Sequence, residues 1–370
     1  MKAIVISKLL KTIDELEVDL NAPEPELKEN QILVEIKASA LNYFDILQNF
    51  HFKELIFLHY DPIFDLVSSN GSEAHKKTEP YQSQGRYQIK PPLPFILGSE
   101  FAGVVLAVHP TVNNKVKPGD KVFGCGQGCF AERIAVDIKN ILPLPDGMSF
   151  EEASGLFVTC PTSYTALVVR AKLQKDEWCL VHAAAGGVGI AAVQIAKALG
   201  AKVIATCGSK DKLDIAKKFG ADYGVNYNDK DWQKQVLQIT GKHGVDVVYD
   251  PVGLVQASHK FIAWSGRILV VGFAGVGETL EKAPTNLILL KNSSVIGVHY
   301  GTYTKYDPER VIEVWNDLFK LFAEKKLKPV IYKNVYHGLH NVKHGLKAIA
   351  NRETYGKVVV VPNGGRESKI

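Results

Sequence analysis

The stretch Val181-His182-Ala183-Ala184-Ala185-Gly186-Gly187-Val188-Gly189 limits the fold more than any other part of the chain. An apolar run, Trp178 to Val181, leads into it, and a run of helical period, Ile190 to Leu199, leads out. Strand, glycine turn and helix, in that order, form the setting in which such a turn receives a dinucleotide. Small residues let the backbone approach a pyrophosphate, and the helix start offers unpaired N–H groups and a positive dipole end. The spacing is Ala-x-x-Gly-x-x-Gly, on Ala183, Gly186 and Gly189, and not the strict three-glycine form. A plain structural turn uses the same residues, so the flanking strand and helix carry the reading.

The residues downstream of the turn bear on which dinucleotide it takes. A carboxylate at the tip of the second strand, about 20 residues on, would grip a ribose 2′-hydroxyl and mark NAD. Here the second strand, Lys202 to Thr206, runs into Cys207, Gly208, Ser209, Lys210, Asp211 and Lys212. Hydroxyl and ammonium groups suit a 2′-phosphate, which a carboxylate would repel. The expected cofactor is therefore NADPH. The other reading of Lys210 and Lys212 is a solvated helix start.

From Trp178 onward apolar runs alternate with helical ones. Strands are expected at 178–182, 202–206, 222–227, 245–250, 267–272 and 294–298, with helices such as 187–199, 211–219, 231–240 and 308–325. Six such strands predict a doubly wound parallel sheet. Residues 1 to about 155 read as β-rich instead, with Val34, Ile36 and Ala38 alternating with polar positions and Pro118-Gly119-Asp120 marking a tight turn. A last apolar run, Val358 to Val361, lies beyond the helix that should close the nucleotide unit. It is expected back in the first unit, which gives a division into 1–155 with 330–370, and 156–329. The ligand is expected in the cleft between them.

The charge balance narrows the partners. With 44 basic and 39 acidic residues the net charge is +5, and no block of Lys or Arg concentrates it. Nucleic acid is not an expected partner, and no apolar run is long enough to span a membrane. Five cysteines, at 125, 129, 160, 179 and 207, show no pairing pattern, so a reducing compartment is expected. The strand-like Lys2 to Ile6 gives the expectation of a cytoplasmic chain without a cleaved leader. Ser368-Lys369-Ile370 is a near-variant of the Ser-Lys-Leu peroxisomal address, and an ordinary frayed tail is the other reading.

Several motifs together resemble the medium-chain dehydrogenase/reductase superfamily, and within it the zinc-free quinone oxidoreductase, or zeta-crystallin-like, branch. They are Asn42-Tyr43-Phe44-Asp45, Gly98-Ser99-Glu100-Phe101-Ala102-Gly103, Lys117-Pro118-Gly119-Asp120-Lys121-Val122, Pro161-Thr162-Ser163-Tyr164-Thr165-Ala166, the Ala183 to Gly189 turn, and Gly356-Lys357-Val358-Val359. The resemblance implies an α/β fold: a GroES-like β-rich catalytic domain plus a six-stranded parallel Rossmann domain. It also implies a homodimer, paired through the edge strand near Ser294 to Val298. Zinc-using relatives carry Gly-His-Glu where this chain has Gly98-Ser99-Glu100, and serine is a poor zinc ligand. The lobe of four close cysteines that holds a structural zinc in those relatives is also missing, so no metal is expected.

The chemistry then implied is hydride transfer from NADPH to a quinone or conjugated enone, small acceptors whose conjugation spreads the incoming charge. The protein contributes position, a dry cleft and donors to the developing oxyanion. By resemblance Asn42 sits beside the nicotinamide and the acceptor, Asp45 orients within the cleft, and Tyr87 offers a phenol to an enolate. Thr162 faces the nicotinamide; a plain helix-start hydroxyl is its other reading. The cofactor further takes Ala185, Gly186, Gly187, Val188 and Gly189 at its pyrophosphate. Lys212 and Tyr227, with Gly208 and Ser209 beside them, match the holders of the 2′-phosphate. Phe273 and Val298 lie past strand ends along the nicotinamide half, and Arg352 matches a basic cleft residue. Cys125, Cys129 and Cys160 read as packing residues.

Two other functions share this pattern: a 2-enoyl thioester reductase, and a non-catalytic NADPH-binding or interaction protein. One stretch fits none of them. Residues 49–84 lose the β-rich punctuation, and in the resembling enzymes Gln48 would run straight into Gly85. The segment is either a lineage-specific loop or a retained intron. Transcript reads that cross Gln48 and Gly85 with the whole segment between them identify a loop; reads that join the two directly identify an intron.

Overall fold

The computed structural model describes residues 1–49, 91–112, 116–275 and 281–364. The segment 49–84 beyond its first residue, Tyr87 and the Ser368-Lys369-Ile370 tail lie outside the described residues.

One six-stranded sheet is wholly parallel. Its spatial order is Tyr223–Asn226, Lys202–Cys207, Trp178–Val181, Val245–Asp250, Ile262–Val270, Ser294–Gly297. In sequence terms this is the order 3-2-1-4-5-6 of a dinucleotide-binding sheet. Its inner strands are largely buried runs, as helices on both faces require: every residue of Lys202–Cys207 except the first is buried. The strand order reverses between Trp178–Val181 and Val245–Asp250, and the glycine turn leaves the sheet at that switch point. The fifth strand starts at Ile262, five residues before the run expected from hydrophobicity. Trp264 and Ser265 are exposed there and Ser265 has a positive φ, so the apolar pattern is broken although the strand is not.

The second sheet has seven strands and is mixed. The path runs Tyr336–His337, Val358–Val361, Gln31–Leu41, Glu100–Val108, Lys121–Cys125, Ile141–Pro143, while Arg133–Asp137 also pairs with Gln31–Leu41. The last apolar run thus pairs antiparallel with the long strand near the start of the chain. Close approach is built in at Gly103, where a Cβ would stand 2.1 Å from the Glu35 carbonyl oxygen.

Among the described residues, several contacts join the two larger sheets. Phe123 of the mixed sheet packs against Phe157 and Trp315, with ring centroids 6.0 and 5.5 Å away. Those two rings come from the helices Leu156–Tyr164 and Pro308–Ala323. Gln194 of the helix Gly187–Ala198 exchanges two hydrogen bonds with the Lys328 backbone, at 3.1 and 3.0 Å. The Gly356 N–H donates to the Ala185 carbonyl at 2.8 Å. No helix among the described residues is long and apolar enough to cross a membrane.

Candidate active site

The glycine turn is built by close packing. A Cβ on Gly189 would lie 2.3 Å from the Ala183 oxygen, so only glycine lets the helix start fold back on the turn. Ala183 itself adopts a left-handed φ of 47°. The helix Gly187–Ala198 is capped by Gly186, which has no side chain to satisfy the first turn. No cap side chain therefore satisfies the first-turn N–H groups of this helix, and a parallel bridge between Gly186 and Gly356 borders the turn on one side. Ala185 is buried and gives its carbonyl to Gly356.

Thr162 is half-buried and lies late in the helix Leu156–Tyr164, so the helix-start reading of its hydroxyl is wrong. Pro161 suggests a helix start, where proline is common, but here it sits inside the helix. The neighbouring Ser163 hydroxyl donates to the Val188 carbonyl at 2.9 Å and ties this helix to the turn.

At the ends of Lys202–Cys207 and Tyr223–Asn226 a second group forms. The Tyr227 ring lies against Gly208, where a Cβ would meet the ring and its hydroxyl at 3.2 Å. Asn228, which no sequence motif singles out, donates its amide to the Gly208 carbonyl at 2.9 Å. Ser209 caps the helix Lys210–Lys218 by accepting from the Lys212 N–H. The Lys212 ammonium donates to the Arg352 carbonyl at 2.5 Å. Arg352 reaches this place from the turn after the helix Val342–Ala350, on a left-handed φ of 56°.

Burial pushes the Lys212 ammonium down and the Tyr227 phenol up, and the Arg352 charge adds to the pressure on Lys212. Neither cation has a carboxylate partner among the described ion pairs. Two neighbouring cations and a phenol, with no anion between them, fit the 2′-phosphate of a dinucleotide.

The third group is only partly legible in the sequence. Asn42 stands between the strand Gln31–Leu41 and the helix Tyr43–Asn49. Its Oδ1 accepts from the Lys357 ammonium at 2.5 Å, and its Nδ2 donates to Glu100 Oε1 at 2.8 Å and to Ser99 Oγ at 3.1 Å. Lys357 also donates to Glu100 Oε1 at 2.8 Å, and Glu100 Oε2 accepts the Val158 N–H at 2.8 Å. Glu100 is fully buried and Lys357 8% exposed. Asp45 is fully buried as well; it accepts the Asn42 N–H at 2.8 Å and the Ser99 hydroxyl at 3.4 Å. Burial raises its carboxyl to about 7, against the pull of the Asn42 N–H and Lys357.

Lys357 and Glu100 lie within the family motifs, yet sequence reasoning assigns them no role. The available signal is a charge inside otherwise apolar strand text, beside Val358 to Val361 and Phe101-Ala102. The Lys357 stem runs past Gly187, where a Cβ would lie 3.0 Å from it, and so links the glycine turn to Asn42.

Val298 and Phe273 belong to neither end group among the described residues. The Val298 side chain is 7% exposed and part of the main core, and its N–H donates to Val270 at 3.0 Å. Phe273 is 49% exposed past the end of Ile262–Val270. The five thiols are free; burial raises Cys125 and Cys160 to about 12, which suits packing residues and not nucleophiles. Among the described residues no group of three or more His, Cys, Asp or Glu could hold a metal ion.

Comparison with known proteins agrees with this architecture. Residues 28–146 match the family model for the alcohol dehydrogenase GroES-like domain, and residues 187–321 that for zinc-binding dehydrogenases. A quinone oxidoreductase-like protein 2 from Rattus norvegicus is 41% identical over 281 residues, 75% of this chain and 79% of that protein. A homologue of it from Nematostella vectensis is 37% identical over 281 residues, 75% and 76% of the two chains. Among solved structures, Escherichia coli quinone oxidoreductase complexed with NADPH superposes with a TM-score of 0.80 at 28% identity, covering 98% of this chain and 100% of that one.

Asp45 sets a pH test. Its folded-state value of about 7 lies above the ordinary 3.8. Between those values the unfolded chain ionises and the folded one resists, so stability is lost as pH rises from about 4 to about 7. Replacing Asp45→Asn removes that loss. Urea unfolding should show the variant gaining on the native chain by about 2 kcal/mol between pH 5 and pH 8. A difference that stays constant with pH would contradict the assignment.

Proposed function

We propose, from the premise that the chain belongs to the medium-chain dehydrogenase/reductase superfamily in its quinone oxidoreductase branch, that it uses NADPH to reduce quinones or conjugated enones without a zinc ion. The observation that carries the reading is the Lys212, Arg352 and Tyr227 group, two cations without a carboxylate partner among the described residues and a phenol, at the strand tip where a carboxylate would have favoured NADH. The E. coli relative whose structure is an NADPH complex supports it.

The nicotinamide, when bound, supplies the hydride. In this reading the first-turn N–H groups of Gly187, Val188 and Gly189 hold the pyrophosphate, with Ala185 and Gly186 shaping its approach. Lys212, Tyr227 and Arg352 hold the 2′-phosphate beside Gly208 and Ser209. Thr162 borders the nicotinamide half, where Val298 contributes backbone and a core wall, and Phe273 closes the outer side. Asn42 sits by the acceptor as an anchor, since both its Nδ2 hydrogens are already committed to Glu100 and Ser99. Tyr87 is the proposed phenol facing the reduced acceptor. Ser99, in the place of the imidazole of zinc-using relatives, leaves an alcohol where a metal ligand would stand.

NADPH oxidation followed at 340 nm with quinones, enones and enoyl-CoAs, with and without a chelator, tests the reading. Chelator-insensitive turnover of quinones or enones is expected, with Lys212→Ala lowering kcat/KM for NADPH about 100-fold and hardly touching NADH. Turnover confined to enoyl-CoAs would move the assignment to a thioester reductase. Binding of NADPH with no turnover would make the protein non-catalytic.

The proposed assembly is a homodimer joined at the edge strand Ser294–Gly297. Beside that edge Trp264 and Leu290 are 70% exposed and Leu289 is 79% exposed, more apolar surface than water favours. Light scattering should give a dimer for the native chain and a monomer for Leu290→Asp; a native monomer would refute the interface.

A further inference from the structure

Reduction of a conjugated carbonyl by hydride leaves an oxyanion that must gain a proton, and the buried group around Asn42 is arranged to supply one. We propose that Asp45 and Ser99 form a proton relay for the reduction, Asp45 as the store and Ser99 as the hydroxyl that meets the acceptor. The proposal rests on the reductase reading above and names how that site delivers its proton.

Hydrogen-bond polarity is the first support. The Lys357 ammonium can only donate, so Asn42 must turn its Oδ1 toward it, at 2.5 Å. The Asn42 Nδ2 group must then face Glu100 and Ser99, at 2.8 and 3.1 Å. Ser99 Oγ is thereby held as an acceptor from Asn42, and its own hydrogen is available to be given away. In the structure it goes to Asp45 Oδ1, at 3.4 Å. Once Asp45 carries a proton, that proton points back at Ser99 Oγ and the serine hydrogen turns toward the cleft.

Placement is the second support. Asp45 is wholly buried, while Ser99, which bonds it, is partly exposed. Among the described residues, the charged groups whose fields reach Asp45 include Lys357 from the last strand and Glu100 from the strand Glu100–Val108; the neighbouring Cys129 thiol is neutral because burial raises it. On the far side the core around Ile46 is apolar, with Val342 and Leu346. Lys357 and Glu100 oppose one another in sign, and burial decides the balance in favour of the protonated carboxyl near neutral pH.

The step balances. Hydride forms the new C–H bond and leaves an enolate or a hydroquinone monoanion. The anionic oxygen takes the hydrogen of Ser99 Oγ as that O–H bond breaks. Ser99 Oγ takes the Asp45 proton in the same movement, and Asp45 is left a carboxylate. Water reprotonates it through Ser99 after the product leaves, so one solvent proton is consumed per NADPH.

The test compares two acceptors on the full-length enzyme with NADPH. Cyclohexenone gives a strongly basic enolate that needs the proton; tetrachloro-1,4-benzoquinone gives a weakly basic hydroquinone anion that does not. In the native chain kcat with cyclohexenone should fall as pH rises above about 7, where Asp45 ionises. Ser99→Ala and Asp45→Asn should each lower that kcat about 100-fold and abolish the falling limb, with the loss on the quinone at least about ten-fold smaller. Should Asp45→Asn fold poorly, Ser99→Ala alone decides, since it leaves the buried carboxyl in place. Equal losses on both acceptors, or a limb that survives both variants and vanishes in Tyr87→Phe, would overturn the relay alone. A native chain that reduces neither acceptor would overturn the reductase reading and the relay with it.

Discussion

The ion pair between Lys357 and Glu100 is the constraint on which the site depends. Removing two charges from water is costly and is repaid only when both are fully partnered. Here Glu100 receives Lys357, the Asn42 amide and the Val158 N–H, and Lys357 donates to Glu100 and Asn42. These bonds tie four pieces of chain together: the last strand, the strand Glu100–Val108, the residue after Gln31–Leu41, and the first turn of Leu156–Tyr164. That helix is capped by Gly155, which offers it no side chain; the buried carboxylate does so from another sheet. Truncating either partner strands the other charge, a loss of about 3–5 kcal/mol.

The same segment of chain makes further contacts before it reaches Asn42. Arg352 meets Lys212, Gly356 meets Ala185, and Lys357 passes Gly187 to reach Asn42. Gly356 can take this course because it adopts a φ of 55° in a place where a Cβ would strike the Val330 carbonyl at 2.2 Å. The C-terminal turn and strand therefore run beside Lys212, the glycine turn and Asn42 in succession. Residues from the two larger sheets meet along one line, where the proposed function would bring cofactor and acceptor together.

Much of this is legible in the sequence, for reasons that can be named. Parallel strands covered on both faces read as short apolar runs, and the glycine turn is local, so the six-stranded sheet and its switch point are visible from residue order. Lys212, Tyr227, Gly208 and Ser209 are near neighbours of strand ends and can be placed together. Periodicity carries no information about a polar pair 257 residues apart, so the Lys357–Glu100 bond is invisible although both residues sit in family motifs. The helix-start reading of the Thr162 hydroxyl fails because the helix has already begun at Leu156, after a glycine cap. Val298 follows the end of Ser294–Gly297, as residue order indicates, and its burial in the core depends on tertiary packing that residue order does not show.

The central claim is that hydride passes from NADPH to a conjugated acceptor beside Asn42. Its most direct test is product analysis after turnover of cyclohexenone with NADPH carrying deuterium at the transferable position of the nicotinamide. The account predicts deuterium at the β-carbon of cyclohexanone and a solvent hydrogen at the α-carbon. Product with no deuterium from the cofactor would contradict it.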